Sequence, residues 1–214
     1  MKLFIRFFFL LTPFFVTSMM LTATPDWPAR SRRKLAFLIG FSGLLICYTL
    51  LFFGRFIFDA FGITVDAFRI GGGLLLLLSG ITLVNGKSTA PPKQLHSPPA
   101  KFSDEKISNI AVVPLAMPVM IGPGTSAALL IQGSQLQTFM DYLHTIAAVS
   151  AAIFAVFIIL FLATWLEKKL GHQGLAILSK LTGLVLSALG AQLMVDGINN
   201  LIVLPALLKL TAGA

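Results

Sequence analysis

The residues with the clearest chemical potential in this chain form a proline- and glycine-rich segment from Pro114 to Ser126. Three prolines fall within ten residues of this segment, at positions 114, 118 and 123, and the last stands between two glycines. Each proline removes a backbone donor and clashes with the carbonyl group four residues earlier, so a continuous α-helix is strongly disfavoured. We therefore predict a break in a helix here, with backbone N–H and C=O groups free to bind a solute.

Residues around a second proline complete the predicted site. Thr125 and Ser126 are good N-cap residues for a helix that restarts after the break, and a helix N-terminus can hold a carboxylate or another anion. Thr12-Pro13 interrupts the first apolar run in the same way, and paired interruptions of this kind indicate a substrate site at the bilayer midplane. The alternative is that the prolines only kink the helices for packing. The predicted substrate-binding residues are Pro118, Gly122, Pro123, Gly124, Thr125 and Ser126, with Thr12 and Pro13 opposite them.

The elements that must position these residues are membrane-spanning helices. The 214 residues are 57% hydrophobic and only 11% charged, and the mean hydropathy is +0.91. A soluble domain carries roughly 25% charged residues because its surface faces water. Apolar runs of about 18 residues or more are long enough to cross a bilayer. We predict an all-α membrane protein with six spans, at residues 3–21, 35–53, 68–84, 109–131, 146–166 and 181–202.

The side chains exclude several classes of function. The net charge of +8 comes from basic residues at the ends of apolar runs, so we predict contact with lipid headgroups and no binding of nucleic acid. The single cysteine and the three histidines lack metal-ligand spacing, and we predict neither a metal site nor a cofactor. No hydrolase, metalloprotease or phosphate-loop motif is present in the sequence, so we expect no enzymatic activity.

The distribution of basic residues predicts the orientation of the spans. Cytoplasmic loops carry an excess of lysine and arginine. Eleven basic residues fall on the side of the first, third and fifth connections and five on the other side, so we predict that both termini are periplasmic. Lys2 and Arg6 before an apolar stretch also resemble a cleaved signal peptide, although Pro13 favours a retained span. The eleven are Arg30, Arg32, Arg33, Lys34, Lys87, Lys93, Lys101, Lys106, Lys168, Lys169 and Lys180; the five are Lys2, Arg6, Arg55, Arg69 and Lys209.

The third and sixth predicted spans indicate an internal repeat. A shift of 111 residues superposes Arg69 on Lys180, Gly72 on Gly183, Asn85 on Asp196 and Gly86 on Gly197. Three spans separate equivalent points, so the two halves would cross the membrane in opposite senses, as in many secondary transporters. A chance alignment of two apolar runs is the alternative. We predict three-helix repeats at residues 1–86 and 109–214, with interrupted first and fourth spans, and a flexible cytoplasmic linker at 87–108.

Two ionisable residues are candidates for coupling or gating. Charge inside a bilayer is costly and therefore rare. Asp196 lies about three-quarters of the way along the sixth span, where it is either a coupling group or an interfacial carboxylate. Arg69 either pairs with Asp66 three residues earlier or binds a substrate carboxylate at the mouth of a cavity.

Three groups of residues together resemble the MarC family of six-span bacterial inner-membrane proteins. The first and most specific is 113–118 followed by 122–125; the second is 61–63 with 68–73; the third lies in 170–197. The resemblance implies a relative of the LysE-like transporters, with inverted repeats and neutral amino acids as proposed substrates. The family has Asn-Pro-x-Gly in its first span, whereas this chain has Thr12-Pro13-Phe14-Phe15.

These features lead to two functional hypotheses. The first is a secondary transporter of the inner membrane that moves a small solute, a neutral amino acid in the first instance, by alternating access. Backbone groups at Gly122–Ser126 would bind the solute, and coupling to H⁺ or Na⁺ stays open, as does the oligomeric state. The second is a membrane structural or regulatory protein that retains the fold without transport, which the altered first span favours.

Overall fold

A computed structural model describes residues 1–25, 27–86, 110–203 and 205. Within these residues the secondary structure is helical, without a strand. Five helices are long and apolar enough to cross a membrane, and a sixth span is made by two helical pieces bent by 74°. The chain is therefore an all-α membrane protein, as predicted. The predicted linker at 87–108 lies outside the described residues.

The elements follow one another as two sets of three spans. The first span is broken, the second and third are long helices, and the same order recurs after the linker. The first set is α1 (Lys2–Leu10), α2 (Pro13–Ala23), α3 (Ala29–Phe61) and α4 (Val65–Val84). The second set is an irregular segment (Ala111–Met120), α5 (Pro123–Ser134), α6 (Phe139–Phe161) and α7 (Ala163–Ile198), with a final wide turn at Asn199–Val203.

Local sequence signals define several helix ends. The Thr138 hydroxyl accepts from the Asp141 backbone N–H, and the Asp141 carboxylate accepts from the Thr138 N–H, which is a capping box at the start of α6. The Thr64 side chain accepts from the Ala67 N–H at the start of α4. Gly62, with φ +62°, ends α3 in a left-handed conformation.

Several helix ends differ from the predicted span boundaries. Helix α3 continues to Phe61, although its apolar span ends at Gly54, close to the predicted residue 53. The fifth span begins at Phe139 rather than at 146. Residues 167–172, predicted as a basic connection, contain a helix break, because Gly171 (φ +64°, ψ 175°) is non-helical and separates two parts of α7. Glu167, Lys168 and Lys169 are helical before this break. Charge was taken as the end of a helix, but lysine and glutamate are good helix formers and remain helical once the helix leaves the hydrocarbon.

A seam of glycines joins α4 to α7. A Cβ atom built on Gly190 would lie 2.6 Å from the Gly73 carbonyl oxygen, and one built on Gly183 would lie 2.7 Å from that of Gly80. The same antiparallel register places Gly197 against the Asp66 carbonyl oxygen at 2.7 Å. Small residues let two helix backbones approach closely where no hydrophobic effect drives their association. The two third spans are thus packed backbone to backbone.

This seam confirms the inverted repeat and corrects its register. A shift of 110 residues exchanges the two glycine contacts, because it carries Gly73 to Gly183 and Gly80 to Gly190. The same shift superposes Pro13 on Pro123, the first residues of α2 and α5. The predicted shift of 111 made Gly72 equivalent to Gly183. Gly183 lies against the Gly80 backbone, whereas Gly72 lies against Ala127 of α5, so the two glycines do not have equivalent surroundings. One residue on a helix is a rotation of about 100°, which apolar runs of leucine do not resolve.

The second spans also pack against each other in antiparallel fashion. Tyr48 on α3 and Ser150 on α6 share a hydrogen bond of 2.6 Å between their hydroxyl oxygens. Towards the other end of the pair, Gly40 lies against the Phe157 side chain. Both pairs of equivalent helices therefore run in opposite directions, which is what two inverted three-helix repeats require.

Arg32 joins the two repeats at the end of the bundle where α3 begins. Its side chain is buried, and its guanidinium donates to the backbone carbonyls of Thr24 and Pro25. It also reaches Thr164 Oγ1 and Glu167 Oε2 on α7, both at 3.4 Å. The sequence presented Arg32 only as one charge among several that set the orientation.

The glycine seam predicts a large difference between two glycines of the third spans. Gly190→Leu should lower stability by roughly 1–3 kcal/mol or prevent folding, because its side chain would meet the α4 backbone. Gly71→Leu is the control, since a Cβ there meets nothing within 4 Å. Thermal unfolding followed by size-exclusion chromatography in detergent measures both. Equal stability of the two variants would contradict the seam.

The Arg32 contacts predict that Arg32→Gln destabilises the protein by about 1–3 kcal/mol, because buried carbonyls and Glu167 lose a charged donor. Lys168→Gln removes an exposed charge on the same end of α7 and should have little effect. The same thermal assay compares them. Matching unfolding temperatures for the two variants would show that Arg32 contributes only surface charge.

Candidate functional site

The first interruption is a single residue between α1 and α2. Thr12 has φ 46° and ψ 55°, a left-handed conformation that a β-branched residue rarely adopts. Pro13 follows as the first helical residue of α2, where its missing N–H costs nothing. The predicted break in the first span is therefore present, about halfway along its 22 residues.

The second interruption is longer and follows the prolines. Val113 (φ −128°, ψ 117°) and Met117 (φ −136°, ψ 124°) are extended, and each precedes a proline, which disfavours the helical conformation of the residue before it. Ile121 and Gly122 are also outside the helical region, and α5 begins at Pro123. The chain abandons regular helical hydrogen bonding where the sequence predicted.

The predicted caps of α5 were wrong. Gly122, not Thr125 or Ser126, is the N-cap residue, and no side chain caps this helix. The Ser126 hydroxyl donates to the Gly122 carbonyl oxygen at 3.0 Å, within its own helix. The buried Thr125 hydroxyl instead donates to the Leu10 carbonyl oxygen, at 2.9 Å. Because Pro123 occupies the first helical position, the residue before it is the N-cap. The hydroxyls of Thr125 and Ser126 therefore lie within the first turn of the helix.

Two hydrogen bonds join the interruptions across the repeats. The bond from Thr125 satisfies a carbonyl at the end of α1. In return, the Thr12 hydroxyl donates to the carbonyl oxygen of Val119 at 3.4 Å. An unsatisfied carbonyl in the bilayer costs several kcal/mol, so each break supplies a partner that the other break needs. Thr125 therefore positions the two halves of the site.

A cavity of about 350 Å³ opens where the interruptions meet. Six of the eight predicted substrate-binding residues line it, namely Thr12, Pro118, Gly122, Pro123, Gly124 and Thr125. Pro13 and Ser126 are not part of the lining. The opposite wall comes from α4, through Leu75, Leu78, Ser79 and Thr82. The sequence analysis missed this wall, although two hydroxyl residues three apart in a leucine-rich run were a visible signal.

The lining is largely apolar, and the polar groups within it carry no charge. None of the residues that line the cavity has an ionisable side chain. The hydroxyls of Ser79 and Thr82 donate to carbonyls of their own helix, so their oxygen atoms keep acceptor capacity. The backbone N–H groups of Gly124 and Thr125 lie in the first turn of α5, where a helix has no acceptor for them. The site offers donors at one end and acceptors along α4, which suits a small solute of zero net charge.

Gly124 fixes how closely α4 approaches this site. A Cβ atom at position 124 would lie 2.7 Å from the Leu76 backbone nitrogen and 2.8 Å from its Cα. A larger residue at this position would displace α4, so the glycine permits the close approach of the two helices. The contact brings Ser79 and Thr82, one and two turns further along α4, to the cavity.

Aromatic rings occupy the equivalent place in the first repeat. The shift of 110 residues places Phe14 at the position of Gly124 and Phe15 at that of Thr125. The Phe14 ring packs edge to face on the Phe8 ring, with centroids 6.4 Å apart, and Phe15 lines the cavity. The two repeats therefore differ at the cavity. The first repeat has two phenylalanine side chains at the positions where the second repeat has Gly124 and Thr125.

Asp196 and Arg69 lie away from the cavity, near the start of α4 and the end of α7. Arg69 forms an ion pair with Asp66, the local pairing that the sequence offered as one of two alternatives. Asp196 accepts a hydrogen bond from the Gln192 side chain at 2.8 Å, and it lies within electrostatic reach of Arg6. The structure does not bring either candidate to the substrate-binding residues.

The cavity predicts the reactivity of introduced cysteines. Ser79→Cys and Thr82→Cys should react with a charged, membrane-impermeant thiol reagent that is applied on the side of the membrane where α4 ends. Ile81→Cys, 44% exposed on the outside of the bundle, should react at least about tenfold more slowly because hydrocarbon disfavours the thiolate. The native Cys47 is fully buried and gives a low background. If Ser79→Cys and Ile81→Cys react equally slowly from both sides, the cavity is dry.

Sequence similarity to known membrane proteins extends over almost the whole chain. The model of the MarC family of integral membrane proteins matches residues 1–202. The UPF0056 membrane protein YhcE of Escherichia coli is 30% identical over 97% of this chain and 94% of its own length. A UPF0056 membrane protein of Aquifex aeolicus is 29% identical over 94% of this chain and 92% of its own length. No solved structure matches the chain. With almost its whole length matched, the chain belongs to the MarC family of integral membrane proteins.

Proposed function

We propose that this protein is a secondary transporter that moves a small solute, a neutral amino acid, across the bacterial inner membrane by alternating access. Both termini would lie on the periplasmic side, because the first, third and fifth connections carry eleven of the sixteen basic residues. The family names of the relatives do not include a substrate, so the proposal rests on the cavity.

The observation that carries the proposal is the meeting of two interrupted spans at one cavity. Irregular backbone at membrane depth is tolerated where it is buried in protein or lines a wet cavity, and in transporters such half-helices form the substrate site. Here the breaks at Thr12 and Gly122 line the same space of about 350 Å³. A structural protein has no need for two costly breaks that face each other.

The lining favours a zwitterion. A carboxylate would accept from the first-turn N–H groups of α5, where the helix dipole adds a partial positive charge. An ammonium group would donate to the hydroxyl oxygens of Ser79 and Thr82, and the leucines of α4 would contact an apolar side chain. No charged side chain in the lining would balance a net charge on the solute. H⁺ or Na⁺ would drive the cycle if transport is coupled, and no residue is assigned to the ion.

The inverted repeat supplies a mechanism for alternating access. Interchanging the conformations of the two repeats would close the present cavity and open its counterpart at Phe14 and Phe15. The glycine seam between α4 and α7 would be the axis of this movement, because its contacts exchange under the repeat. Phe14 and Phe15 would have to move for the solute to leave on that side.

Those phenylalanines also favour the second candidate, a membrane structural or regulatory protein that retains the fold. Phe15 lines the cavity, and the Phe14 ring, packed edge to face on Phe8, stands at the position equivalent to Gly124. A protein locked in one state would bind a solute without moving it. The flux experiment separates these candidates.

The flux experiment uses proteoliposomes and a set of radiolabelled neutral amino acids. The parent protein should accumulate at least one of them above protein-free vesicles. Thr125→Val should lower the initial rate by about tenfold, the effect of losing one buried hydrogen bond at the site. Ser126→Ala is the matched control, because its hydroxyl bonds within its own helix and is not part of the lining.

Two further results decide the interpretation. Thr125→Ser should restore the rate, since its hydroxyl reaches the Leu10 carbonyl, which excludes a purely steric effect. Absence of flux for every amino acid in a parent protein of normal thermal stability would reject transport of this solute class and favour the second candidate.

A further inference from the structure

A groove on the outside of the bundle lies between α3 and α6, apart from the solute cavity. It has a volume of about 600 Å³, and its lining is apolar apart from Ser150. Phe37, Phe41 and Phe154 form its walls and are 59%, 59% and 62% exposed. Both helices are membrane spans, so the groove faces the hydrocarbon of the bilayer. Its shape and chemistry fit a lipid acyl chain.

Basic side chains stand at one end of this groove. Residues three, four and seven apart share one face of a helix, so Arg33 and Arg30 continue the face of α3 that carries Phe37. The Arg33 guanidinium carbon lies 4.9 Å from the centroid of the Phe161 ring, at the end of α6. Both arginines are exposed. Two cations are therefore placed where α3 enters the bilayer, in line with the apolar groove.

A tryptophan marks the same level of the membrane. Trp165, in the first turn of α7, is 56% exposed, and the Lys169 ammonium lies 5.8 Å from its ring centroid. Tryptophan is enriched at membrane–water interfaces. The arginine end of the groove therefore lies at the depth of lipid headgroups, and the phenylalanine walls lie at the depth of acyl chains.

We infer that this groove binds an anionic phospholipid, with its phosphate on Arg33 and Arg30 and one acyl chain along Phe37, Phe41 and Phe154. A guanidinium group presents paired donors that match a phosphate. Basic sites between spans on the cytoplasmic side are suited to anionic headgroups. Charge complementarity at the groove end selects a lipid over a second copy of this chain, whose matching face would bring the same arginines together. The inference does not depend on the proposed transport.

The fluorescence of Trp165 can report which lipid lies next to the groove. The chain has two tryptophans, so Trp27→Phe leaves Trp165 as the single reporter. This variant is placed in phosphatidylcholine vesicles that contain a small, fixed fraction of brominated phosphatidylglycerol or brominated phosphatidylcholine. We expect brominated phosphatidylglycerol to quench the fluorescence of Trp165 more strongly than brominated phosphatidylcholine does. Arg33→Gln should lower the preference about fivefold, the contribution of one basic residue near an anionic surface.

Two variants control for unspecific effects. Lys180→Gln removes an exposed charge that lies beside Gly86 at the end of α4, outside the groove, and should leave the preference unchanged. Gly40→Leu fills the groove without displacing backbone, because a Cβ there lies at an ordinary 3.5 Å from Phe157. It should lower the preference although both arginines remain.

Three results would overturn the inference. The first is equal quenching of the reporter variant by both brominated lipids. The second is an equal loss in Arg33→Gln and Lys180→Gln, which would mean diffuse surface attraction. The third is a Gly40→Leu variant with unchanged lipid preference and an altered particle mass in detergent, which would assign the groove to a second copy of the chain.

Discussion

Backbone polar groups inside a bilayer must find partners, and this constraint organises the centre of the molecule. Each repeat interrupts its first span at a proline, which frees carbonyl and N–H groups at membrane depth. The Thr125 hydroxyl bonds the Leu10 carbonyl, and the Ile121 N–H bonds the Ala116 carbonyl at 3.0 Å. Gly124 and Thr125, in the first turn of α5, line the cavity. The cavity therefore lies where helix geometry leaves backbone N–H groups without an intrahelical acceptor.

Helix α4 transmits this local arrangement to the rest of the fold. One face packs against α7 through Gly73 and Gly80, and another packs against α5, where Gly72 meets Ala127 and Gly124 meets the Leu76 backbone. These contacts involve backbone atoms or a single Cβ atom, so a small shift of α4 changes the seam and the cavity together. Interior packing at this density behaves as a set of discrete arrangements rather than as a continuously deformable medium. Such coupling is the mechanical requirement of an alternating-access cycle.

Charge is kept at the two ends of the bundle and out of its centre. Arg32 and Glu167 join the repeats at the end where α3 begins, and Arg69, Asp66 and Asn200 form a cluster at the other end. The cost of placing charge in hydrocarbon explains the separation. It also explains why the cavity, halfway along two spans, offers only hydroxyl and backbone groups to a solute.

The amino-acid sequence by itself determined the membrane class, the six spans and the two breaks. Long apolar runs and clustered prolines act locally, through hydrophobic transfer and lost hydrogen bonds, so they do not need a fold to be interpreted. Only the tertiary structure decided the register of the repeat, the role of Thr125 and the wall formed by Ser79 and Thr82. These depend on which face of a helix meets its neighbour, and a leucine-rich helix is almost equally apolar on every face. Backbone-to-backbone contact between distant glycines selects one rotation, and no periodicity along the chain reports it.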